Sequence, residues 1–128
     1  MHWSGYIAVG ASVFLGAWLA FDGSHAFIKG DYVTPKSGAH AGQLGPWSHL
    51  VKGVGLDPRS TLFMTVHLVV GLALVAAALF FVVSPKAPAW WSLLIAAILT
   101  LWYLPFGTLL SLVTIVVLLL PPVRSTLP

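Results

Sequence analysis

The chain has 128 residues, of which 59% are hydrophobic and only 7% are charged, and its mean hydropathy is +0.96. Soluble domains carry about 25% charged residues, so this composition excludes an ordinary water-soluble globule and predicts an integral membrane protein. The chain has no cysteine, which excludes disulfides, thiolate metal sites and iron–sulfur clusters, and its net charge of +3 is too dispersed to predict nucleic-acid binding.

Residues 3–21 form the first predicted element, an apolar stretch without a charge that is long enough to cross a hydrocarbon core of about 30 Å. A cleaved secretory signal is the alternative. The stretch lacks a start rich in Lys and Arg and offers a bulky side chain where cleavage needs a small one, so a retained helix is predicted. Within it, small residues recur at every fourth position: Ala8, Ser12, Gly16 and Ala20. This spacing is typical of membrane helices that pack closely against another helix.

Residues 22–57 form the predicted polar loop between the first two membrane helices, and glycine and proline interrupt most of it. Near its end, apolar residues fall at the i, i+3, i+4 and i+7 positions of a helix: Trp47, Leu50, Val51 and Val54. This spacing predicts a short amphipathic helix. Two interpretations stay open: the helix lies in the membrane interface with Trp47 directed into the lipid, or it packs onto the ends of the membrane helices.

The second half of the chain predicts three further membrane helices, at about residues 58–84, 88–104 and 106–121. Asp57 and Pro58 suit the N-cap and the first turn of the first of these. The apolar run from 87 to 121 is too long for one crossing of about 20 residues. Its aromatic, proline and glycine residues at 102–107 predict a hairpin turn, and the alternative is one long helix that is kinked at Pro105.

These elements predict an all-α, polytopic membrane protein. Residues 1–128 form one domain of four transmembrane helices, with a long polar loop and its short interfacial helix between the first two. Both termini then lie on one side of the membrane, and the long loop and the hairpin turn lie on the other. The loop side carries more cations than the side of the termini: Lys29, Lys36, Lys52 and Arg59 against Lys86 and Arg124. The positive-inside rule therefore predicts a cytoplasmic loop.

The candidate metal ligands are the histidines and carboxylates that this topology places on the loop side: Asp22, His25, Asp31, His49 and His67. Histidine and carboxylate suit Zn, Fe or Mn, and histidine titrates near neutral pH, so a metal or proton-handling site is one hypothesis. The alternative is that Asp22 caps a helix and the loop histidines face water. It is favoured because the spacings HExxH, HxxxH and HxH are lacking. For the same reason no cofactor is predicted, and haem ligation by His67 is not favoured.

His67 falls inside the second predicted membrane helix, where an ionisable side chain is a functional hypothesis by default. The favoured alternative is that one hydrogen bond to a neighbouring helix holds it. On the last helix, hydroxyl groups recur at every third residue: Thr108, Ser111 and Thr114. They could line a pore, but bonds to helix carbonyls or to a neighbouring helix are favoured. No catalytic residue is predicted, because the sequence has neither a Ser/His/Asp order nor a phosphate loop nor a carboxylate pair.

Several short stretches resemble a family of small uncharacterised bacterial membrane proteins: GDYVTP at residues 30–35, GQLGPWS at 42–48 and DPRS at 57–60. The stretch WYLPFGT at residues 102–108 is similar to the closing helices of several bacterial families of unknown function. The resemblance implies four helices and a location in the bacterial inner membrane. It implies no activity and no functional residue.

Three functions follow as hypotheses. The favoured one is helix association, as an accessory or scaffold subunit of a membrane assembly or as a homo-oligomer, because small-residue faces are many and polar groups in the bilayer are few. The first alternative is a membrane-embedded protein that binds a metal or another ligand, or a small enzyme, through the loop-side histidines and aspartates. The second is a small transporter or channel. The expected partners are membrane lipid and other membrane proteins or further copies of the chain.

Overall fold

The computed structural model of this protein describes residues 3–30, 32, 47–103 and 106–124. Within these ranges every regular element is an α-helix: α1 (Gly5–Lys29), α2 (Trp47–Gly53), α3 (Thr61–Val83), α4 (Ala87–Ile98), α5 (Phe106–Leu119) and α6 (Pro121–Arg124). No strand occurs among these residues, so the predicted all-α class is confirmed. Two parts of the predicted polar loop, Asp31 and residues 33–46, lie outside the described residues.

Four of the helices form a bundle in which each contacts two neighbours. Helix α1 packs against α3 and α5, and α4 packs against the same two helices. Helices α4 and α5 lie side by side, since the Trp90 indole N–H donates to the Leu118 carbonyl oxygen at 2.8 Å. Nearer the turn, the Thr100 and Ser111 hydroxyls lie 2.6 Å apart. The two helices are therefore the arms of a hairpin, as predicted, and one long helix kinked at Pro105 is excluded.

Helices α1 and α3 approach so closely that their backbones are in contact. A Cβ atom added to Gly71 would lie 2.6 Å from the Ala20 nitrogen and 2.6 Å from the Gly16 carbonyl oxygen. Further along, a Cβ atom on Gly23 would lie 2.9 Å from the Leu68 nitrogen. Only glycine fits at these crossings. The small residues of α1 thus make the close helix contact that their spacing predicts.

The polarity of the bundle is the reverse of that of a water-soluble helix bundle. Large apolar side chains on the outward faces of all four helices are about half exposed: Phe21 55%, Leu72 54%, Ile95 53% and Leu109 63%. Polar side chains lie in the interior instead, and the buried ones include Ser12, Asp22, His67, Thr100, Ser111 and Thr114. Such a distribution is typical of helices that face hydrocarbon, where polar groups bond to one another inside the bundle.

Two of the helices, α1 with 25 residues and α3 with 23, are long and apolar enough to cross a membrane. Helix α4 has 12 residues and α5 has 14, which correspond to about 18 and 21 Å at 1.5 Å per residue. The predicted third helix, at residues 88–104, is too long because the chain turns after Ile98. The Thr100 hydroxyl satisfies a backbone carbonyl at this helix end, because it donates to the oxygen of Ala97 at 2.8 Å.

Helix α1 extends past its predicted end at residue 21 and stops at Lys29. Asp22 and His25 therefore lie within the helix, and the polar loop begins only after it. The helix is ended by Gly30, which adopts the left-handed conformation (φ 85°) and donates its N–H to a carbonyl one turn earlier. The polar residues that begin at Asp22 led to a predicted helix end that is too early. A polar side chain that lies inside a bundle does not interrupt a helix.

Helix α3 begins at Thr61 rather than at residue 58. Ser60 is its N-cap and accepts a hydrogen bond from a backbone N–H of the first turn at 3.2 Å. Asp57, the predicted cap, accepts instead from the Arg59 N–H at 2.9 Å and so closes a turn before the helix. Both side chains are good caps, and the helix uses the later one.

Helix α2 packs onto the end of the bundle. Trp47 and Val51 are each 4% exposed, whereas Val54, just past the helix, is 69% exposed. The Trp47 ring is stacked on that of Phe63 in α3, with centroids 5.8 Å apart and planes at 11°. Of the two interpretations of this helix, packing onto the ends of the long helices is confirmed, and an interfacial helix with Trp47 in the lipid is wrong.

Candidate functional site

The residues predicted to form a site come from elements that meet at one end of the bundle, which we call the loop-side end. It comprises the C-terminal part of α1, the short helix α2, the first turns of α3 and the turn after α4. His67 lies six residues after Thr61, about 9 Å along the axis of α3. Asp22 is at the same level, because a Cβ atom on the adjacent Gly23 would lie 3.1 Å from the His67 Cβ. Two of the five predicted residues thus share one region.

His67 is 0% exposed and lies inside a group of aromatic rings. Its ring centroid is 4.6 Å from that of Tyr32 and 4.6 Å from that of Trp47. Three further rings have centroid distances of 5.4, 5.2 and 5.6 Å from it: Phe63, Trp102 and Tyr103. We call these six residues the aromatic cluster. It holds α2 and the turn after α4 against α3.

The hydrogen bonding of His67 leaves one ring nitrogen unused. Nδ1 lies 3.3 Å from the carbonyl oxygen of Phe63, one turn earlier in α3. A carbonyl oxygen only accepts, so Nδ1 carries the hydrogen and Nε2 keeps its lone pair. Nε2 is buried, and among the described residues it has no hydrogen-bond partner. His67 therefore bonds to its own helix rather than, as predicted, to a neighbouring one.

Asp22 is a buried carboxylate within α1 rather than the predicted helix cap. It is 2% exposed, and the Tyr103 hydroxyl donates to its Oδ2 over a long 3.5 Å. The Trp18 indole N–H donates in turn to the Tyr103 oxygen at 2.8 Å. A buried polar chain thus joins α1 to the turn after α4.

Tyr103 connects this polar chain to the aromatic cluster, since its hydroxyl contacts Asp22 and its ring contacts His67. Burial raises the pKa of the Tyr103 phenol well above its usual range; the Trp18 hydrogen bond opposes that shift, and the Asp22 carboxylate adds to it. The phenol therefore stays protonated and acts as a donor. The sequence predicts neither Tyr103 nor Trp18 as a site residue, because aromatic residues near helix ends are commonly interface anchors.

The other candidate ligands are not members of the aromatic cluster. His49 is exposed on α2, and His25 is partly buried on α1, with its ring 6.3 Å from that of Phe21. Asp31 lies outside the described residues. Within the part of the chain that the structure describes, no group of three or more His, Cys, Asp or Glu side chains is placed to hold a metal ion. A metal site built from the five predicted residues stays a prediction.

The hydroxyl groups of α5 serve helix packing, which is the favoured alternative to a pore lining. The Ser12 and Thr114 hydroxyls lie 3.1 Å apart and link α1 to α5. Ser111 pairs with Thr100 of the turn after α4, and Thr108 donates to a backbone carbonyl oxygen in the same turn. All three hydroxyls of this stripe thus have partners inside the bundle.

Comparisons of the chain with protein-family models, with curated proteins and with solved structures found no match. The resemblance to small bacterial membrane proteins therefore stays a prediction. The loop-side end offers three chemical features: the imidazole acceptor of His67, the rings of the aromatic cluster, and the Asp22 carboxylate, which is hydrogen-bonded to the phenol of Tyr103.

Proposed function

We propose that this chain is a multi-pass membrane protein that crosses the bilayer four times and acts by helix association, as a homo-oligomer or as an accessory subunit of a larger assembly. The apolar outward face of every bundle helix carries the proposal. Ile95 and Leu109 on the hairpin are more than half exposed, as Leu72 is on α3. The outward faces of all four helices are similarly apolar. We therefore place α4 and α5 in the hydrocarbon beside α1 and α3. The resemblance supports the bacterial inner membrane as the location.

The lengths of α4 and α5 favour association. At about 18 and 21 Å they are shorter than a hydrocarbon core of about 30 Å. A membrane helix that is too short is accommodated by thinning of the bilayer or by oligomerisation. A second chain that covers the hairpin removes part of the mismatch.

A groove between α3 and α4 is the contact surface that we assign to this association. Its volume is about 340 Å³, and its lining is apolar apart from one serine: Val69, Val70, Ala73, Ala77, Ser92, Ile95, Ala96 and Leu99. The small side chains of Ala73 and Ala77 let another helix approach α3 closely. The occupant that we propose is the same surface of a second copy. Two-fold contacts between identical surfaces are the commonest contacts in oligomers. One wall of the groove is α4, the short helix whose mismatch with the bilayer favours oligomerisation.

Cross-linking tests this proposal, because the chain has no cysteine of its own. Ala73→Cys is expected to give a disulfide-linked dimer when membranes are treated with a mild oxidant, since the proposed contact places the two-fold axis at the groove, where the two copies of Ala73 face each other. Gly10→Cys is the matched control on the outward face of α1, where an added Cβ atom has nothing within 4 Å. It is expected to stay monomeric. If Ala73→Cys also stays monomeric and native mass spectrometry finds a lone wild-type chain, association through this groove is contradicted.

A further inference from the structure

Nε2 of His67 is the buried polar atom that most needs an explanation. A buried acceptor without a partner is rare in proteins, because it forgoes its bonds to water and gains none in return. Packing holds the side chain in place, since Gly23 of α1 lies against its Cβ and the Phe63 carbonyl binds its Nδ1. The unused nitrogen is left among the rings of the aromatic cluster.

The tautomer of His67 determines what this atom accepts. Because Nδ1 donates to the Phe63 carbonyl, Nε2 presents a lone pair and requires a hydrogen-bond donor. The surroundings are flat rings, and the ring centroids of Tyr32, Trp102 and Phe63 lie 4.6, 5.2 and 5.4 Å from the imidazole centroid. Aromatic walls with one fixed polar group favour a flat, largely apolar ligand that carries a matching donor.

We propose that the aromatic cluster is a binding site for a lipophilic ring with a hydroxyl donor, a ligand of the phenol class, whose hydroxyl donates to Nε2 of His67. The ring of the ligand packs against Phe63 and Trp102. Such molecules partition into hydrocarbon, so they reach the site from the bilayer. The site shares no residue with the groove between α3 and α4, and it goes beyond the association proposed above.

Trp47 is the side chain that the ligand displaces. It lies 4.6 Å from His67 between ring centroids, is stacked on Phe63 and belongs to α2, a helix of 7 residues outside the bundle. Helices this short are not stable alone, so α2 depends on the docking of Trp47 and Val51, which are each 4% exposed. Trp47 can therefore move without disturbing the bundle helices.

Two matched probes test the site on the full chain in detergent: para-propylphenol, and para-propylanisole, in which a methyl group replaces the hydroxyl hydrogen. We expect the phenol to bind about tenfold more tightly, because only the phenol satisfies Nε2. His67→Ala is expected to abolish this preference. His49→Ala alters an exposed histidine of α2 and is expected to leave the preference unchanged. Equal binding of the two probes to the wild-type chain overturns the proposal.

A measurement on the wild-type chain keeps the test independent of the folding of any variant. Nitrogen NMR of isotope-labelled histidine distinguishes a free Nε2 from one that accepts a hydrogen bond. The His67 signals are expected to show a hydrogen on Nδ1 and a free Nε2, and to shift with the phenol but not with the anisole. A hydrogen on Nε2 in the unliganded chain overturns the proposal, and so does an Nε2 signal that does not shift when the phenol is added.

Discussion

Leu72→Arg is expected to cost about 3 kcal/mol in membrane insertion, although Leu72 is 54% exposed. In water, a substitution at an exposed position without special contacts changes stability by about 0.5 kcal/mol or less. Leu72 lies near the middle of α3 on its outward face, so the guanidinium would face hydrocarbon. A large cost at an exposed position therefore identifies a surface that faces lipid.

The fraction of chain that inserts into isolated membranes measures this effect. Leu56→Arg is the control, because Leu56 is 45% exposed in the segment between α2 and α3, where a guanidinium reaches water. Its insertion is expected to match that of the wild type. If the chain crosses the membrane four times, Leu112→Arg on α5 is expected to reduce insertion as much as Leu72→Arg does. Insertion of Leu72→Arg as efficient as that of Leu56→Arg would show that α3 does not face lipid.

Gly71→Ala is expected to destabilise the bundle by about 3 kcal/mol, the upper end of the usual cost of overpacking an interior. The new methyl group would lie 2.6 Å from the Gly16 carbonyl oxygen and 2.6 Å from the Ala20 nitrogen. Both are backbone atoms that cannot move alone, so α1 and α3 must separate. The separation weakens contacts along both helices.

Gly10→Ala is the matched control for Gly71→Ala. It adds the same methyl group to a helix glycine, but nothing lies within 4 Å of the new atom. Its free energy of unfolding is expected to rise by up to about 1 kcal/mol, because alanine favours a helix more than glycine does. Unfolding in mixed micelles of increasing denaturing detergent measures both variants. Equal stability of the two would be incompatible with the close contact of α1 and α3.

The architecture could be predicted because it depends on periodic and compositional features of the sequence. The small residues at every fourth position of α1 predict a close helix contact, and Gly16 and Ala20 make that contact with Gly71. The length of the apolar run after residue 87 predicts the hairpin, since one helix of that length would exceed the bilayer. Helix ends were less predictable. Asp57 and Ser60 are both suitable caps, and sequence alone does not decide between them.

The candidate site could be predicted only in part, because its members are far apart in the sequence. Asp22 and Tyr103 are 81 positions apart, and no spacing in the chain indicates that they meet. Trp47 and Trp102 stand near helix ends, where aromatic residues usually anchor a protein in the interface. Whether such a ring turns outwards to lipid or inwards to His67 depends on the packing of α2 and of the turn after α4. This packing is tertiary structure, and local sequence patterns do not predict it.

Cysteine labelling in sealed membrane vesicles tests the central claim, that this bundle crosses hydrocarbon four times, most directly. The chain has no native cysteine, so single cysteines at Lys52, Leu101 and Lys86 can each be probed with a maleimide that does not cross membranes. Four crossings predict that Lys52→Cys and Leu101→Cys react from one side and Lys86→Cys from the other. Reaction of Leu101→Cys from the same side as Lys86→Cys would mean that the hairpin stays outside the bilayer, and the claim would be wrong.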